Sequence, residues 1–493
     1  MLIKNVLINI YLFSLILLIS LNNLHSKRPP IKERNFISEA VENQIKFIKN
    51  HIKDKQLGEI YESSYPNTLD TTVEYSELNK TKPKPQNETF IITGDIKAMW
   101  QRDSTFQLLP YMKYLNDDAK LKQMVQSLMR RQINNLIYDP YANAFNKDNN
   151  TTSPWISDKT KMKKGLWERK YELDSVISPL YFACVYYENT KDSSFINRKW
   201  FKAIESTLKL VKSQMRGSKE EDDNGGPDYT FQRSYFEPFD SLHQGRGNPA
   251  NSCGLVKTMF RSSDDSALFP YNIPENAFLS TTFLKLSKML DDIVNSEKNY
   301  LNNLLFSRIG IHLKYSKELL KISNSVRENI YKHGIKTDIQ SGDKYFAFEV
   351  DCYGNQYFID DPGYPSLLSL PFFDFIDIND KIYINTRKRI FSEQNAYFFS
   401  GKLGKGIGSP HSERYFIWPL AIIMRGLTTE NEKEILDCIE LLKKSAFKTN
   451  FIHESFHVDN ALNFTRKWFA WANSFFGLFI NHVAEKFPKL ILK

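Results

Sequence analysis

The sequence predicts an all-α protein built from helical hairpins arranged in a ring. Segments with apolar residues at helical spacing recur along the whole chain, whereas the alternation typical of strands is scarce. Long polar loops separate the helical segments. With 493 residues, 41% hydrophobic and 25% charged, the chain can bury a large core and is not a disordered protein.

The helical segments have the apolar spacing of amphipathic helices. In chain order they are Ile37–Ile52, Leu121–Leu136, Phe201–Met215, Ala277–Ile293, Leu301–Leu320, Ile435–Phe447 and Trp468–Val483. The last segment is almost wholly apolar or aromatic, which predicts a buried helix. One minor β-hairpin is also expected, with strands Tyr345–Val350 and Tyr357–Ile359 joined by a turn over Asp351–Asn355.

Long polar loops lie between these elements, and loops of such length inside a compact domain are usually functional. They are Glu62–Thr89, Asp139–Gly165, Gly217–Ser252 and Asn395–Arg414. We therefore expect the functional site to be surrounded by them.

The first 28 residues differ from the rest of the chain. Lys4 precedes the uncharged apolar run Val6–Leu21, whose 16 residues suit either a cleaved signal peptide or a short signal-anchor. Both interpretations predict one domain over residues 29–493, secreted or in the lumen of the endoplasmic reticulum or Golgi. N-glycosylation sequons fit this expectation, at Asn79, Asn87, Asn149, Asn150 and Asn463.

Charge and cysteine usage exclude two classes of protein. The net charge is +9, but basic residues form no long run, so nucleic-acid binding is not favoured. The four cysteines form no CxxC pair, which argues against a structural zinc site. They could form disulfides in a secretory compartment or none at all.

The segment Thr93–Ser104, TGDIKAMWQRDS, combines groups suited to binding a sugar. Asp95 and Asp103 can accept hydrogen bonds from vicinal hydroxyls, Trp100 can stack on a sugar face, and Arg102 can hold Asp103 ionised. The alternative interpretation is a capped helix with a surface ion pair.

Adjacent carboxylates occur in Arg261–Ser266, RSSDDS. In a loop, Asp264 and Asp265 could divide their roles, one remaining ionised while the other acts as a general acid. The alternative is a helix N-cap, for which this composition is also well suited.

Two further polar stretches have less specific patterns. Glu349, Asp351, Asp360 and Asp361 lie near the predicted turn, where they could bind calcium, although the EF-hand spacing is absent, or contact a sugar. Gly406–His411, GIGSPH, is neither a P-loop nor a dinucleotide-binding motif, and His411 is a candidate for the site because of its loop setting.

The segment His453–His457 matches H-E-x-x-H, in which two histidines bind zinc and Glu454 acts as a general base. The continuation found in metzincins is missing, because Asn460 and Asn463 occupy the Gly and His positions. No third ligand is evident, so a zinc peptidase is the less favoured alternative. Further along, Arg466 opens the apolar segment and is difficult to explain as core packing.

Taken together, these stretches resemble glycoside hydrolase family 125, the exo-α-1,6-mannosidases, which include fungal "meiotically up-regulated" proteins of the secretory pathway. The matching segments are TGDIKAMWQRDS, YELDS, RSSDDS, FPYNIPEN, FEVDCYGNQYFIDD, PSLLSLP, NTR, GIGSPH, IWPL, HESF and FTRKWFAWANSFFG. They occur in order from Thr93 to Gly477 and cover most of the chain. An ordered series of this kind is more specific than any single motif.

The resemblance implies an (α/α)6 barrel with long active-site loops, and hydrolysis of terminal α-1,6-linked mannose with inversion and without a metal or other cofactor. It implies that Asp264 or Asp265 is the catalytic acid and that Glu454 is the base. Substrate contacts are expected from Asp95, Trp100, Arg102, Asp103, Asp174, Arg261, Glu349, His411 and Arg466. The partner would be a mannose-containing oligosaccharide or N-glycan, with membrane association only through an N-terminal anchor.

Departures from the family pattern leave the proposed catalytic carboxylates in place. Ser409 stands where the family has Gly, and Pro362–Tyr364 follow the Asp360–Asp361 pair, so the sugar subsites could differ. A glycan-binding protein that has lost turnover on the same barrel is the non-enzymatic alternative.

Overall fold

The structure is a computed structural model that describes residues 28–76, 88–235, 240–297 and 304–493. Helices dominate it and the strands are short, which confirms the prediction of an all-α protein. The predicted signal or anchor segment lies outside the described residues. None of the helices within these ranges has both the length and the apolar character needed to cross a membrane.

The helices are named here in chain order. They are α1 (Glu39–His51), α2 (Lys55–Ser64), α3 (Gln101–Leu108), α4 (Ala119–Tyr138), α5 (Leu173–Thr190), α6 (Arg198–Gln214), α7 (Ser218–Asp223), α8 (Ile273–Glu297), α9 (Leu304–Asn329), α10 (Lys381–Ile390), α11 (Pro419–Leu427), α12 (Glu432–Ser445), α13 (Ala470–Lys486) and α14 (Pro488–Ile491).

The strands form small separate sheets rather than one large sheet. They are β1 (Val73–Ser76), β2 (Glu88–Ile91), β3 (Met99–Trp100), β4 (Ala144–Phe145), β5 (Leu166–Glu168), β6 (Tyr271–Asn272), β7 (Ile335–Thr337), β8 (Lys344–Phe346), β9 (Glu349–Val350), β10 (Gln356–Tyr357), β11 (Phe398–Ser400), β12 (Lys405–Ile407), β13 (Phe416–Ile417), β14 (Phe456–His457) and β15 (Asn460–Phe464).

The helices pack as an inner and an outer layer of a ring. On the inside, α3 contacts α5, α5 contacts α8, α11 contacts α13, and α13 contacts α3 again. Between α8 and α11, Phe373 packs on Phe278 of α8 and Phe372 packs on Phe475 of α13, so the turns of segment 364–376 complete the inner layer. On the outside, α9 packs on α8 and α12 packs on α11. This is the expected (α/α)6 architecture.

Aromatic side chains fill the centre of the ring. Phe106 of α3 stacks on Trp471 of α13, with ring centroids 5.4 Å apart and an interplanar angle of 8°. The same Phe106 ring also packs against Phe278 and Phe373, and Tyr181 of α5 packs edge-on against Phe278. Each fully buried aromatic side chain of this kind contributes on the order of 2 kcal/mol of burial free energy.

Short strands precede the N-termini of the inner helices. β3 leads directly into α3, β6 into α8, and β13 is separated from α11 by one residue. Because successive inner helices are separated by an outer helix that runs back, these N-termini lie at the same end of the ring. The first turn of a helix leaves backbone N–H groups free, so this end is suited to polar and anionic groups.

The predicted hairpin is present, but both strands are shorter than expected and the second is Gln356–Tyr357 instead of Tyr357–Ile359. β9 pairs antiparallel with β10, matching Val350 with Gln356 across a turn that begins at Asp351. The preceding residues belong to β8, which pairs instead with β7. The H-E-x-x-H segment is not helical: His453–Ser455 form a loop, and Phe456–His457 are strand β14, paired with β13 and β15.

Cys253 and Cys352 form a disulfide that joins the loop before β6 to the hairpin turn after β9. Cys184 and Cys438 are free and buried. The disulfide pairing could not be predicted from the sequence. In the described part of the chain, Cys253 and Cys352 are the only two cysteines that form a disulfide.

Arg28 belongs to the folded domain, one residue before the predicted boundary. Its guanidinium donates hydrogen bonds to Glu42 of α1 at 2.9 Å and to Asp70 at 3.0 Å. Asp70 is almost fully buried, and Arg34 is its other cationic neighbour at 3.8 Å. A boundary after residue 28 would therefore remove the principal partner of a buried carboxylate.

Candidate active site

The first turn of α3 carries buried polar side chains instead of an apolar face. Arg102 and Asp103 follow Trp100, whose backbone caps the helix, and all are buried. Strand β3 holds this turn in place by pairing with β4, with Trp100 opposite Ala144. Thr93–Ser104 thus forms a buried helix start and not the capped surface helix that was the alternative.

Arg102 lies among four carboxylates. Its Nη1 donates to Glu172 at 2.7 Å and to Asp174 at 3.2 Å, and its Nη2 donates to Asp264 at 3.2 Å. Its Nε lies 3.4 Å from Asp103. One guanidinium therefore connects the starts of α3 and α5 to the loop that carries Asp264.

Asp264 is turned toward the cavity by its backbone conformation. Its φ of 71° is in the left-handed region, where Asp is tolerated better than most residues, and Lys170 Nζ donates to its carbonyl at 2.8 Å. Burial raises its pKa, but Arg102, a hydrogen bond with Glu172 and the charge of Lys170 hold the pKa of Asp264 well below its usual range.

Asp265 points in another direction and is buried. Its Oδ1 lies 2.8 Å from His411 Nδ1, and its backbone carbonyl accepts from the N–H of Arg261. Burial opposes protonation of His411, but the hydrogen bond and charge of Asp265 raise the pKa of His411 to about 10. The histidine is therefore an imidazolium at neutral pH.

Glu454 is held by two consecutive residues that follow β15. Thr465 Oγ1 donates to Glu454 Oε2 at 3.1 Å, and Arg466 Nη1 lies 3.5 Å from Glu454 Oε1. Arg466 also donates to Asp95, 2.9 Å from Nε, and to Thr93 Oγ1 at 3.2 Å. This explains why an arginine occurs at the start of an apolar segment.

A cavity of about 430 Å³ brings these groups together. The sequence-predicted residues that line it are Trp100, Arg102, Asp103, Asp264, His411, Glu454 and Arg466. Asp103 Oδ2 is buried there, accepts no hydrogen bond from the described residues, and lies 3.4 Å from Arg102 Nε. Burial raises the pKa of Asp103 to about 6, against the effect of Arg102.

Other predicted site residues do not line the cavity. Asp95 pairs with Arg466, and Asp174 contacts Arg102. Arg261 and Glu349 form a buried pair with Nε–Oε1 2.6 Å and Nη2–Oε2 3.1 Å.

The expectation that Glu349 contacts the sugar does not agree with this geometry. Its Oε2 also accepts from the backbone N–H groups of Leu268 and Phe269, so the side chain is fully occupied. Arg261 and Glu349 instead brace the loop that carries Asp264 and Asp265.

The other acidic residues near the hairpin hold the backbone and do not converge on a cation. Asp360 accepts from the N–H groups of Leu367 and Leu368. Asp361 accepts from Ser263 Oγ at 2.6 Å and from Ser409 Oγ at 3.0 Å, and burial raises its pKa to about 6. Ser409, a departure from the family pattern, thus ties its loop to the one that carries the aspartates.

The histidines of the H-E-x-x-H segment have other partners. The His453 ring stacks on Phe464 at 3.7 Å, and its Nε2 lies 3.1 Å from Thr449 Oγ1. His457 Nδ1 accepts from the N–H of Asp459. No set of three or more His, Cys, Asp or Glu side chains suited to a metal is present among the residues that the structure describes.

One wall of the cavity was not predicted from the sequence. That wall comes from two of the long loops and from the residues around β5, and consists of Trp155, Trp167, Glu168, Lys170, Arg233, Tyr235 and Asp240. Arg233 stacks on Trp155 at 4.5 Å and donates to Asp158 at 2.7 Å. Glu172 was also missed, although YELDS was among the matching segments.

Comparisons with known proteins identify one family. A family model described as metal-independent α-mannosidase, glycoside hydrolase family 125, matches residues 54–481. The meiotically up-regulated gene 157 protein of Schizosaccharomyces pombe is 35% identical over 484 residues, 95% of this chain and 90% of that protein. A solved metal-independent α-mannosidase of Streptococcus pneumoniae, in a non-productive complex with α-1,6-mannobiose, matches with 32% identity and a TM-score of 0.78.

The bacterial structure covers 91% of this chain and 99% of its own. The resemblance inferred from the ordered motifs is confirmed, because the family match extends over most of the chain. The protein belongs to glycoside hydrolase family 125, the metal-independent α-mannosidases.

Proposed function

We propose that the protein removes terminal α-1,6-linked mannose from oligosaccharides, with inversion at the anomeric carbon. The observation that carries this proposal is the likeness to the Streptococcus pneumoniae enzyme, whose structure holds α-1,6-mannobiose. The cavity supports it, since carboxyl groups from two separate loops, Asp264 and Glu454, line the same space.

In the proposed mechanism, Asp264 is the general acid and Glu454 is the general base. Asp264 protonates the glycosidic oxygen as the bond to the anomeric carbon breaks. Glu454 takes a proton from a water that attacks the opposite face of the sugar, and inverting enzymes separate the two carboxyls by about 6.5–9.5 Å to admit that water. Asp265 is the weaker candidate for the acid because His411 occupies its carboxylate.

The terminal mannose is held by groups at the buried end of the cavity. Trp100 offers an aromatic face, Asp103 a carboxyl group beside Arg102, and Arg466 a guanidinium beside the base. These groups come from the starts of α3 and α13, so the sugar is bound between inner helices on a rigid frame.

The decisive experiment uses protein that begins at Arg28 and follows α-1,6-mannobiose by proton NMR. Inversion predicts that β-mannose appears first and mutarotates to the α form. Initial α-mannose would contradict inversion, and no release would contradict the activity. Assays with α-1,2- and α-1,3-mannobiose test the linkage. Asp264→Asn and Asp265→Asn identify the acid, because a variant that lacks the acid should still hydrolyse substrates whose activated leaving groups need no proton.

We further propose that the protein works in the secretory pathway or outside the cell. The apolar N-terminal run supports this, and so does the Cys253–Cys352 disulfide, since disulfides persist in oxidising compartments. Asn150 and Asn463, both in sequons, are exposed. Expression in a eukaryotic host with its N-terminus intact should give a glycosylated protein whose mass falls when N-glycans are removed; an unglycosylated cytosolic product would contradict the proposal.

A further inference from the structure

The proposed acid lies in surroundings that favour its ionised form. Asp264 accepts from Arg102 at 3.2 Å, Lys170 donates to its carbonyl, and the His411 imidazolium faces the same cavity. A general acid has to carry a proton when the substrate binds. Some neighbouring group must therefore keep a proton available to Asp264.

Glu172 is the neighbour with the geometry for this role. It is fully buried just before α5, and one guanidinium holds both carboxyls, with Arg102 Nη1 2.7 Å from Glu172 and Nη2 3.2 Å from Asp264. The two carboxyls are thereby brought into hydrogen-bond contact. Two carboxyl groups form a hydrogen bond only if one of them is protonated. The remaining sites on Glu172 are filled by Asn143 Nδ2 at 2.8 Å, Ser175 Oγ at 2.7 Å and Arg102 Nη1 at 2.7 Å.

We propose that Glu172 is a positioning residue that shares one proton with Asp264 and so keeps a proton within reach of the general acid at neutral pH. The inference rests on the proposed function, in which Asp264 is the acid. In the resting enzyme the proton lies on Glu172 and is donated to Asp264. As the glycosidic bond breaks, the shared proton moves from Glu172 to Asp264 and from Asp264 to the leaving oxygen, so that both carboxyls are ionised at the end of this step.

After this transfer Glu172 is a carboxylate that pairs with Arg102, the contact it already makes at 2.7 Å. The proton that Glu454 takes from the attacking water returns through solvent to the carboxyl pair. Water thus supplies the hydroxyl on the anomeric carbon and, over the cycle, the hydrogen on the leaving oxygen. No oxidant or other reactant is needed.

Charged groups on several elements surround the Glu172–Asp264 pair, and together they are consistent with a single shared proton. Those in contact or close by are Arg102 and Asp103 on α3, Lys170 before α5, Asp174 on α5, and Asp240 and His411 on loops. Burial, followed by the charges of Asp264 and Asp174, raises the pKa of Glu172 well above its usual range despite Arg102. The pKa of Asp264 moves in the opposite direction.

Asp174 provides a matched control because it also places a carboxylate on Arg102, at 3.2 Å. Asp174→Asn removes a negative charge beside that guanidinium and leaves the shared proton in place, whereas Glu172→Gln removes the carboxyl that carries the proton. Their pH profiles of kcat/KM therefore separate proton sharing from simple electrostatics.

We expect Glu172→Gln to move the high-pH limb of the profile down by about one pH unit or more, and Asp174→Asn by less than about half a unit. With α-1,6-mannobiose, kcat of Glu172→Gln should fall about 30-fold or more, but at most about threefold with 2,4-dinitrophenyl α-mannoside, whose leaving group needs no proton. Equal shifts in both variants, or equal losses on both substrates, would overturn the proposal.

A measurement on the resting enzyme keeps the inference testable if Glu172→Gln does not fold or if the enzyme does not cleave mannobiose. At pH 7 the infrared spectrum should contain a protonated-carboxyl band that shifts in Asp264→Asn, because Glu172 changes its hydrogen-bond partner. A difference spectrum without such a band would refute the shared proton, whatever the substrate. Activity on a different mannoside with the band present would refute only the proposed linkage.

Discussion

Arg466 Nη1 lies 3.5 Å from Glu454 Oε1, and the guanidinium is itself fixed by Asp95. The pair joins the H-E-S-F loop to the residues before α13 and to the segment before α3. Together with the hydrogen bond from Thr465, it fixes the orientation of the carboxylate that faces the cavity. Glu454 is thus positioned by three separate segments of the chain.

Replacement of Glu454 by Gln should lower kcat on α-1,6-mannobiose by about 10²- to 10⁴-fold, the usual contribution of a general base. The amide oxygen can still accept from Thr465, so the thermal midpoint and the affinity for mannose should stay close to those of the wild type. Calorimetry and NMR-detected turnover test this. Rates near those of the wild type would exclude Glu454 as the base.

Asp265→Asn should change the ionisation of His411. The pKa of His411 is raised to about 10, above about 6.5 in the unfolded chain, so its stabilising effect is complete below about pH 6.5 and is lost as the pH rises through 10. The thermal midpoint of Asp265→Asn should therefore fall further below wild type at pH 6 than at pH 10.

The same variant should move the His411 titration toward its ordinary value, as followed by NMR of the ring protons. His411→Gln identifies the resonance. An unchanged titration midpoint in Asp265→Asn would show that Asp265 is not what charges the histidine.

The sequence predicted the amphipathic outer helices, but of the inner helices only α8 and α13. α6 was found because it presents one apolar face to the core. α3 and α5 were missed because neighbours surround them: every side chain of α3 is buried, polar ones included, so no helical period is visible. An apolar period is visible only where one face of a helix is exposed to solvent, and α3 and α5 have almost no such face.

The candidate site could be predicted only where its residues cluster in sequence. Asp264 and Asp265 were found together but could not be told apart, because the left-handed conformation at Asp264 directs their side chains to different neighbours. The aromatic wall around Trp155 was missed because folding alone brings it to the cavity, and Glu172 was missed because folding alone places it beside Arg102. Glu349 was expected at the sugar, but it supports the loop from behind.

Loss of the Cys253–Cys352 disulfide should destabilise the protein without abolishing activity at low temperature. The two cysteines are 99 residues apart, and closing a loop of that length in the unfolded chain is worth about 2–5 kcal/mol. Cys253→Ser with Cys352→Ser should lower the free energy of unfolding by that amount.

A mass measurement provides the control for this prediction. Alkylation of the denatured protein without reductant should label two thiols, Cys184 and Cys438, and reduction should expose two more. Four labelled thiols without reductant would show that the disulfide does not form.

Gly477 of α13 allows a close approach to Tyr65 next to α2. A Cβ there would lie 2.0 Å from Tyr65 Cδ2, and this ring is fully buried and cannot move aside. Gly477→Ala should therefore lower the free energy of unfolding by about 1–3 kcal/mol, although alanine favours a helix.

Gly310 of α9 is the matched control. A Cβ at this exposed helical position meets nothing within 4 Å, so Gly310→Ala should raise the free energy of unfolding by up to about 1 kcal/mol. Urea denaturation of both variants gives the comparison. Changes of the same sign would mean that the contact between α13 and Tyr65 is not as close as described.

Removal of the N-terminal segment should lower the stability of the domain if Arg28 is removed with it. It supplies hydrogen bonds to Glu42 and to buried Asp70, and without it the nearest cation to Asp70 is Arg34 at 3.8 Å. Protein 29–493 should therefore be less stable than protein 28–493 by about 1–3 kcal/mol, the cost of a buried acceptor left without its donor. Arg28→Ala in the longer protein should reproduce the loss if the side chain is responsible, whereas loss on truncation alone would assign the effect to the backbone. Equal stability of all three proteins would place the start of the domain after Arg28.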